Sequence, residues 1–189
     1  MHTNSYYIVN GITLYRLIAA PFLLVLIFTD QAALFKWLLA LSFFTDAIDG
    51  YVARKFGAVS VMGARLDSIA DDLTVFVALV GLWVWYKEFL LTEYIWVLLL
   101  VVLFLIQLLL AFIRYGKPTS FHTYLAKIAA VFQAVFLVLS FFLPAPLLVL
   151  FYIMATITAL DILEEIVMVL LLPKWQPDIR SLYHLLKKK

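Results

Sequence analysis

Four aspartates stand at fixed spacing in two otherwise apolar stretches: Asp46-x-x-Asp49-Gly50-x-x-Ala53-Arg54, then eight residues, then Gly63-x-x-x-Asp67-x-x-x-Asp71. On helices, spacings of three and four bring both carboxylates of each pair onto one face. Gly50 and Ala53 lie one turn beyond Asp46 and Asp49, and Gly63 lies one turn before Asp67. Each acidic face therefore carries small residues that let a bulky group approach the backbone. A charge at the centre of a membrane-spanning helix costs about 2.5–3.5 kcal/mol, so the group needs compensation. The basic neighbour Arg54 cannot offset four negative charges, whereas two divalent cations can. Oxygen-only ligands suit Mg²⁺, Mn²⁺ or Ca²⁺ rather than zinc. Two such ions about 3.5–4 Å apart clamp a phosphoryl group during in-line displacement. A structural polar cluster and a cation pathway are the competing interpretations. A pathway spreads its acids along a crossing route, but these are confined to the ends of two adjoining segments.

The elements that must position these acids are membrane spans. Of 189 residues, 66% are hydrophobic and only 14% are charged. That apolar excess is far above a soluble domain's and predicts an all-α integral membrane protein. A span needs about 20 apolar residues, so the length accommodates a bundle of about six transmembrane helices. The predicted spans are about Ile12–Thr29, Ala32–Arg54, Met62–Tyr86, Tyr94–Ile113, His122–Phe142 and Leu147–Leu172. The acidic stretch then closes the second span and opens the third. Residues 1–11 are expected to lie at the interface, where Tyr6 and Tyr7 fit. Residues 174–189 form an amphipathic basic tail: Ile179, Leu182, Leu185 and Leu186 share a helical face, Pro177 suits a first turn, and Lys187–Lys189 favour an anionic leaflet. A single membrane domain over residues 1–189 is expected, without internal repeats, and no basic leader suggests a cleaved signal peptide.

Orientation follows from the basic residues. Arg54, Lys55, Arg65, Arg114, Lys117, Lys127 and the terminal lysines fall on one side; Lys36 and Lys87 fall on the other. The positive-inside rule then makes both termini and the acidic stretch cytoplasmic. Arg65, Arg114 and Lys127 are candidates for a pocket that takes an anionic acceptor, with Lys127 the deepest. Arg16, one turn inside the first span, either snorkels or faces a polar cavity. Asp161, Glu164 and Glu165 in the sixth span are expected to pair with Lys127 or Arg16 in a structural role. His122 reads as a helix-end residue. The chain has no cysteine, so thiolate chemistry and disulfides are excluded. No GxSxG, HExxH, CxxC or glycine-rich phosphate loop occurs, and no nucleic-acid partner is expected.

The acidic stretch resembles, at every defined position, the D-x2-D-G-x2-A-R-x8-G-x3-D-x3-D motif of the CDP-alcohol phosphotransferases. The run Asn10-x-Ile12-Thr13-x-x-Arg16 is similar to that family's opening of the first span. The resemblance implies an enzyme of phospholipid synthesis. It moves a phosphatidyl group from CDP-diacylglycerol to an acceptor hydroxyl and releases CMP. It further implies that Asp46, Asp49, Asp67 and Asp71 hold two divalent cations, Mg²⁺ or Mn²⁺, and that Asp71 is also the general base. Asp49, Gly50, Ala53, Arg54, Gly63 and Asp67 would line the CDP site. The implied partners are CDP-diacylglycerol, a small polar acceptor, the lipid bilayer and a second copy of the chain. Asp72 stands where many members have lysine, and Ser68 where phosphatidylglycerophosphate synthases usually have proline. A phosphorylated acceptor, such as glycerol 3-phosphate or an inositol phosphate, is expected from the three basic residues. Transfer from a CDP-aminoalcohol to a diradylglycerol, and non-enzymatic transport of divalent cations, are the alternatives.

Overall fold

The structure is a computed structural model describing residues 3–56, 61–119, 121, 123–176, 179 and 181–187; the side chains of 3–10, 12–13, 47, 49–56, 61–65 and 67–68 are not described. Among the described residues it is all-helical: α1 (Thr3–Phe28), α2 (Ala32–Phe56), α3 (Val61–Trp85), α4 (Lys87–Thr92), α5 (Tyr94–Tyr115), α6 (Tyr124–Phe142), α7 (Leu148–Leu171) and α8 (Leu182–Lys187). Six of these run from 19 to 26 residues, and each contains most of one predicted span. Two of them, α5 and α6, are long and apolar enough throughout to cross a membrane. The first helix starts nine residues before the predicted span, at Thr3 rather than Ile12. Apolarity marks where a helix meets lipid, but backbone hydrogen bonding carries the helix on through the polar residues before it.

The chain forms two compact units, one of residues 1–87 and 137–145, the other of 88–136 and 146–189. In the first, α1 packs along both α2 and α3, while α2 and α3 meet over a much shorter stretch. Its core joins Ala19, Leu23 and Ile27 of α1 to Phe35 and Leu39 of α2 and Val77, Ala78 and Leu82 of α3. Phe35, Trp85 and Phe141 close one end with edge-on ring contacts, their centroids 4.9–6.0 Å apart. A Cβ on Gly81 would come within 3.1 Å of both the Phe35 and Phe141 rings, a tight approach that glycine avoids where α3 meets them. The turn from α1 to α2 passes through Asp30 at φ 55, a left-handed conformation aspartate tolerates, and its carboxylate accepts a 2.8 Å bond from Trp85 Nε1.

In the second unit α5 packs on α7. Gly116 ends α5 at φ 69, returning its N–H to Phe112 O at 2.8 Å. Thr123 caps α6, its Oγ1 accepting from Ala126 N at 2.9 Å. The tail helix α8 starts at Leu182, after Ser181; Pro177, expected in a first turn, lies outside the described residues. Ser181 Oγ accepts from His184 N, and Glu164 Oε1 accepts from Leu182 N at 2.8 Å, so two of the helix's orphan donors are met by side chains. Ile179, Leu182 and Leu185 pack on a core of Phe121, Met168, Val169 and Leu172, whereas Leu186 is exposed. The tail's apolar face is thus occupied mainly by protein.

Candidate active site

The polar residues of α2 that precede the acidic stretch satisfy themselves locally. Ser42 donates to Leu38 O, and Thr45 to Leu41 O and Ser42 O. Thr74 of α3 does the same with Ala70 O. Asp46 and Asp71 behave differently. Each accepts a hydrogen bond from one atom, Nη1 of Arg16 on α1; the Asp46 contact is 2.7 Å, and Asp71 pairs with the same nitrogen. Both contacts are ion pairs. The guanidinium side chain is 1% exposed, while the two carboxylates are 40% and 43% exposed. The arginine is therefore structural in its burial, and the acids keep open faces.

Arg16 changes the charge account. The sequence points to Arg54 as the basic neighbour of the acids and leaves Arg16 between snorkelling and a polar cavity. In the structure Arg16 sits inside the acidic group and joins its two halves. A single arginine in the first span, at the end of Asn10-x-x-Thr13-x-x-Arg16, was the available signal, because a charge placed there needs a counter-charge. What it pairs with depends on which helix packs where, and spacing alone does not reveal that.

Asp49, Gly50, Ala53 and Arg54 lie on the helical backbone of α2, and Gly63, Arg65 and Asp67 on that of α3; their side chains are outside the described residues. Helical periodicity still places Asp49 on the face of Asp46 and Asp67 on the face of Asp71. The described pair fits a hard divalent cation in donor chemistry: two carboxylates from different helices converge on one nitrogen, and both side chains are partly exposed. Among the described residues, no three metal-capable side chains come together.

Arg114 and Lys127 belong to the second unit. Arg114 Nε donates to Leu172 O at 2.8 Å, and Tyr115 OH reaches Val169 O and Leu172 O, so both serve the carbonyl end of α7. Lys127 is exposed, its Nζ 5.8 Å from the Tyr124 ring centroid. Within the second unit, the expected pairing of Asp161, Glu164 and Glu165 with Lys127 does not form among the described residues. Neutral donors take those acids: Thr123 Oγ1 bonds Asp161 at 3.3 Å, and Leu182 N bonds Glu164. Gln107 Nε2 and Thr119 Oγ1 bond Glu165 Oε2 at 2.7 and 3.0 Å. Local hydroxyl and amide groups need no ordering of a long flexible stem. His122 lies outside the described residues.

The family model for CDP-alcohol phosphatidyltransferases matches residues 6–172, which takes in the acidic stretch, Arg16 and all six long helices. The chain belongs to the CDP-alcohol phosphatidyltransferase family. Among relatives, it is 41% identical over 70 residues to a CDP-diacylglycerol–glycerol-3-phosphate 3-phosphatidyltransferase of Rickettsia bellii, covering 35% of this chain and 38% of that one. It is 39% identical over 66 residues to the CDP-diacylglycerol–inositol 3-phosphatidyltransferase of Saccharomyces cerevisiae, covering 35% and 30%. It is 56% identical over 41 residues to the CDP-diacylglycerol–serine O-phosphatidyltransferase of Methanocaldococcus jannaschii, covering 22% and 20%. The chain matches less than half the length of each of these CDP-alcohol phosphatidyltransferases. No solved structure matches it.

Proposed function

We propose that this protein is a metal-dependent phosphatidyltransferase of phospholipid synthesis, using CDP-diacylglycerol as donor and a phosphorylated polyol, such as glycerol 3-phosphate or an inositol phosphate, as acceptor. The observation that carries this reading is the convergence of Asp46 and Asp71, from the two halves of the family motif, on one buried arginine with their open faces exposed. Asp46, Asp49, Asp67 and Asp71 would hold two divalent cations, Mg²⁺ or Mn²⁺. When bound, these supply charge neutralisation for the donor's pyrophosphate and the leaving CMP. Arg54 can reach phosphate bidentately, and Gly50, Ala53 and Gly63 leave room for the nucleotide along the helix faces. The acceptor oxygen attacks the phosphatidyl phosphorus, the bond from that phosphorus to CMP breaks, and Asp71 takes the hydroxyl proton. Such a base has to be within hydrogen-bond reach of the acceptor, which the partial exposure of Asp71 permits.

Six membrane crossings with both termini and the site on the cytoplasmic side complete the reading. The large apolar residues left exposed on α1, α2, α3, α5 and α7 support it, because a water-facing surface rarely carries so many. Arg65, Arg114 and Lys127 lie on the cytoplasmic side in that topology and offer charge to an acceptor's phosphate. The serine-transferring relative makes a serine acceptor the second reading, since the segment shared with it is more identical than that shared with the glycerol-phosphate and inositol enzymes.

The test is purified protein in lipid nanodiscs with CDP-diacylglycerol and a panel of glycerol 3-phosphate, inositol phosphate, inositol and serine, scored by CMP release and lipid product. EDTA is expected to abolish turnover, and Mg²⁺ or Mn²⁺ to restore it. Full turnover in metal-free buffer sinks the metal assignment, and a product only from neutral or amino acceptors sinks the acceptor assignment.

A further inference from the structure

The acids of the motif lie on α2 and α3, two helices that meet over only a short stretch; α1 packs along both of them. The α2–α3 contact is therefore poorly suited to fix how far Asp46 stands from Asp71. Arg16 is placed to fix it. Its side chain is 1% exposed, so its long stem is held by packing and its head does not wander. Its Nη1 carries two protons, one for each carboxylate, and it bonds Oδ1 of Asp46 and Oδ1 of Asp71. A buried charge of this kind is tolerated only when paired. The pairing in turn sets the rotation of each carboxylate, with Oδ1 engaged by the arginine.

We propose that Arg16 is a positioning residue, a clamp from α1 that presents Asp46 and Asp71 as a ready-made pair of cation ligands. The proposal rests on the phosphatidyltransferase reading for what the cations do, but it is tested by cation binding alone. The opposite possibility has the opposite sign. An arginine that merely occupies the cation position competes with the metal, and its removal tightens metal binding. A clamp loosens metal binding when removed, because two like charges on separate helices then move apart.

The experiment titrates Mn²⁺ into purified protein in nanodiscs without substrate and reads free Mn²⁺ by electron paramagnetic resonance. Arg16→Gln is expected to raise half-saturating Mn²⁺ about tenfold, the lower end of what loss of a ligand-orienting partner costs. Arg16→Lys is expected to recover most of that loss, since an ammonium still offers protons to both oxygens. In an Asp46→Asn background the Arg16→Gln effect should shrink, because half of what the clamp holds is gone. Tighter or unchanged Mn²⁺ binding in Arg16→Gln overturns the proposal, and so does full additivity with Asp46→Asn. If Arg16→Gln fails to fold, Arg16→Lys carries the test: binding as weak as in Asp46→Asn overturns the clamp, and near wild-type binding supports it. If the variants show these Mn²⁺ shifts while wild-type protein releases no CMP from CDP-diacylglycerol, the clamp is upheld and the transferase reading alone is overturned.

Discussion

Two groups of acids sit within long helices of this chain, and they are treated in opposite ways. In the first unit, Asp46 and Asp71 share one buried arginine and keep 40% and 43% of their side chains exposed. In the second, Asp161, Glu164 and Glu165 are taken up by hydroxyl, amide and backbone donors of neighbouring segments. Gln107, itself buried, bonds both Thr119 and Glu165, and Thr119 also donates to Glu165, so those three close on one another. The first arrangement leaves both side chains partly exposed. The second uses its acceptors to join segments: Glu165 ties α7 to α5 and to the loop after it, Asp161 ties α7 to the cap of α6, and Glu164 ties α7 to α8. A carboxylate within a long apolar helix is therefore not a functional residue by its position alone; what satisfies it decides.

That contrast can be broken at four places, here in order of expected effect. Asp71→Asn should lower turnover about 10³-fold, within the range for loss of a general base, while equilibrium binding of a CDP-lipid analogue persists. Normal turnover in that variant would remove the base assignment. Asp46→Asn should raise the Mg²⁺ or Mn²⁺ needed for half-maximal activity by at least the roughly 10–100-fold seen when a ligand's supporting partner is lost. An unshifted metal activation curve would show that the open face of Asp46 holds no cation. Lys127→Ala should raise the acceptor KM roughly tenfold, the worth of one charge-assisted hydrogen bond, and leave the CDP-lipid KM nearly unchanged. Equal shifts in both constants would dissociate Lys127 from the acceptor. Glu165→Leu should cost only stability, about 1–3 kcal/mol, because it removes the acceptor shared by Gln107 and Thr119. Glu165→Gln keeps an acceptor and should cost less. If Glu165→Gln instead abolished turnover with an unchanged melting temperature, the second group would be functional and the contrast between the units would fail.

Much of the architecture was legible from the residues. The predicted spans end within a few residues of the long helices, apart from the start of α1, because apolar run length and the polar or turn-forming residues at Asp30, Lys87–Glu88, Lys117–Pro118 and Pro144 act locally, although Lys87 and Glu88 themselves open the short helix α4. The motif spacing is local too, since three- and four-residue intervals share a face wherever a helix forms. The partners of charged side chains were not legible in the same way. Arg16 reads as an isolated cation and becomes the bridge between Asp46 and Asp71, 30 and 55 positions away. Lys127 reads as a counter-ion for the acids of α7, which instead find Thr123, Gln107 and Thr119. The tail's apolar stripe is visible in the sequence, but its docking on Met168, Val169 and Leu172 is not.

By itself, the sequence determined the six long helices, apart from the start of the first, the two acidic faces and, through the motif, the family. These depend on periodicity and on residues close together in the chain. The tertiary structure alone decided that α1 packs along both acid-bearing helices and so delivers a buried positive charge to both halves of the site. Burying a charge is tolerable only where a counter-charge is already in place, and that condition is met by the packing of three helices, not by the pattern of any one of them.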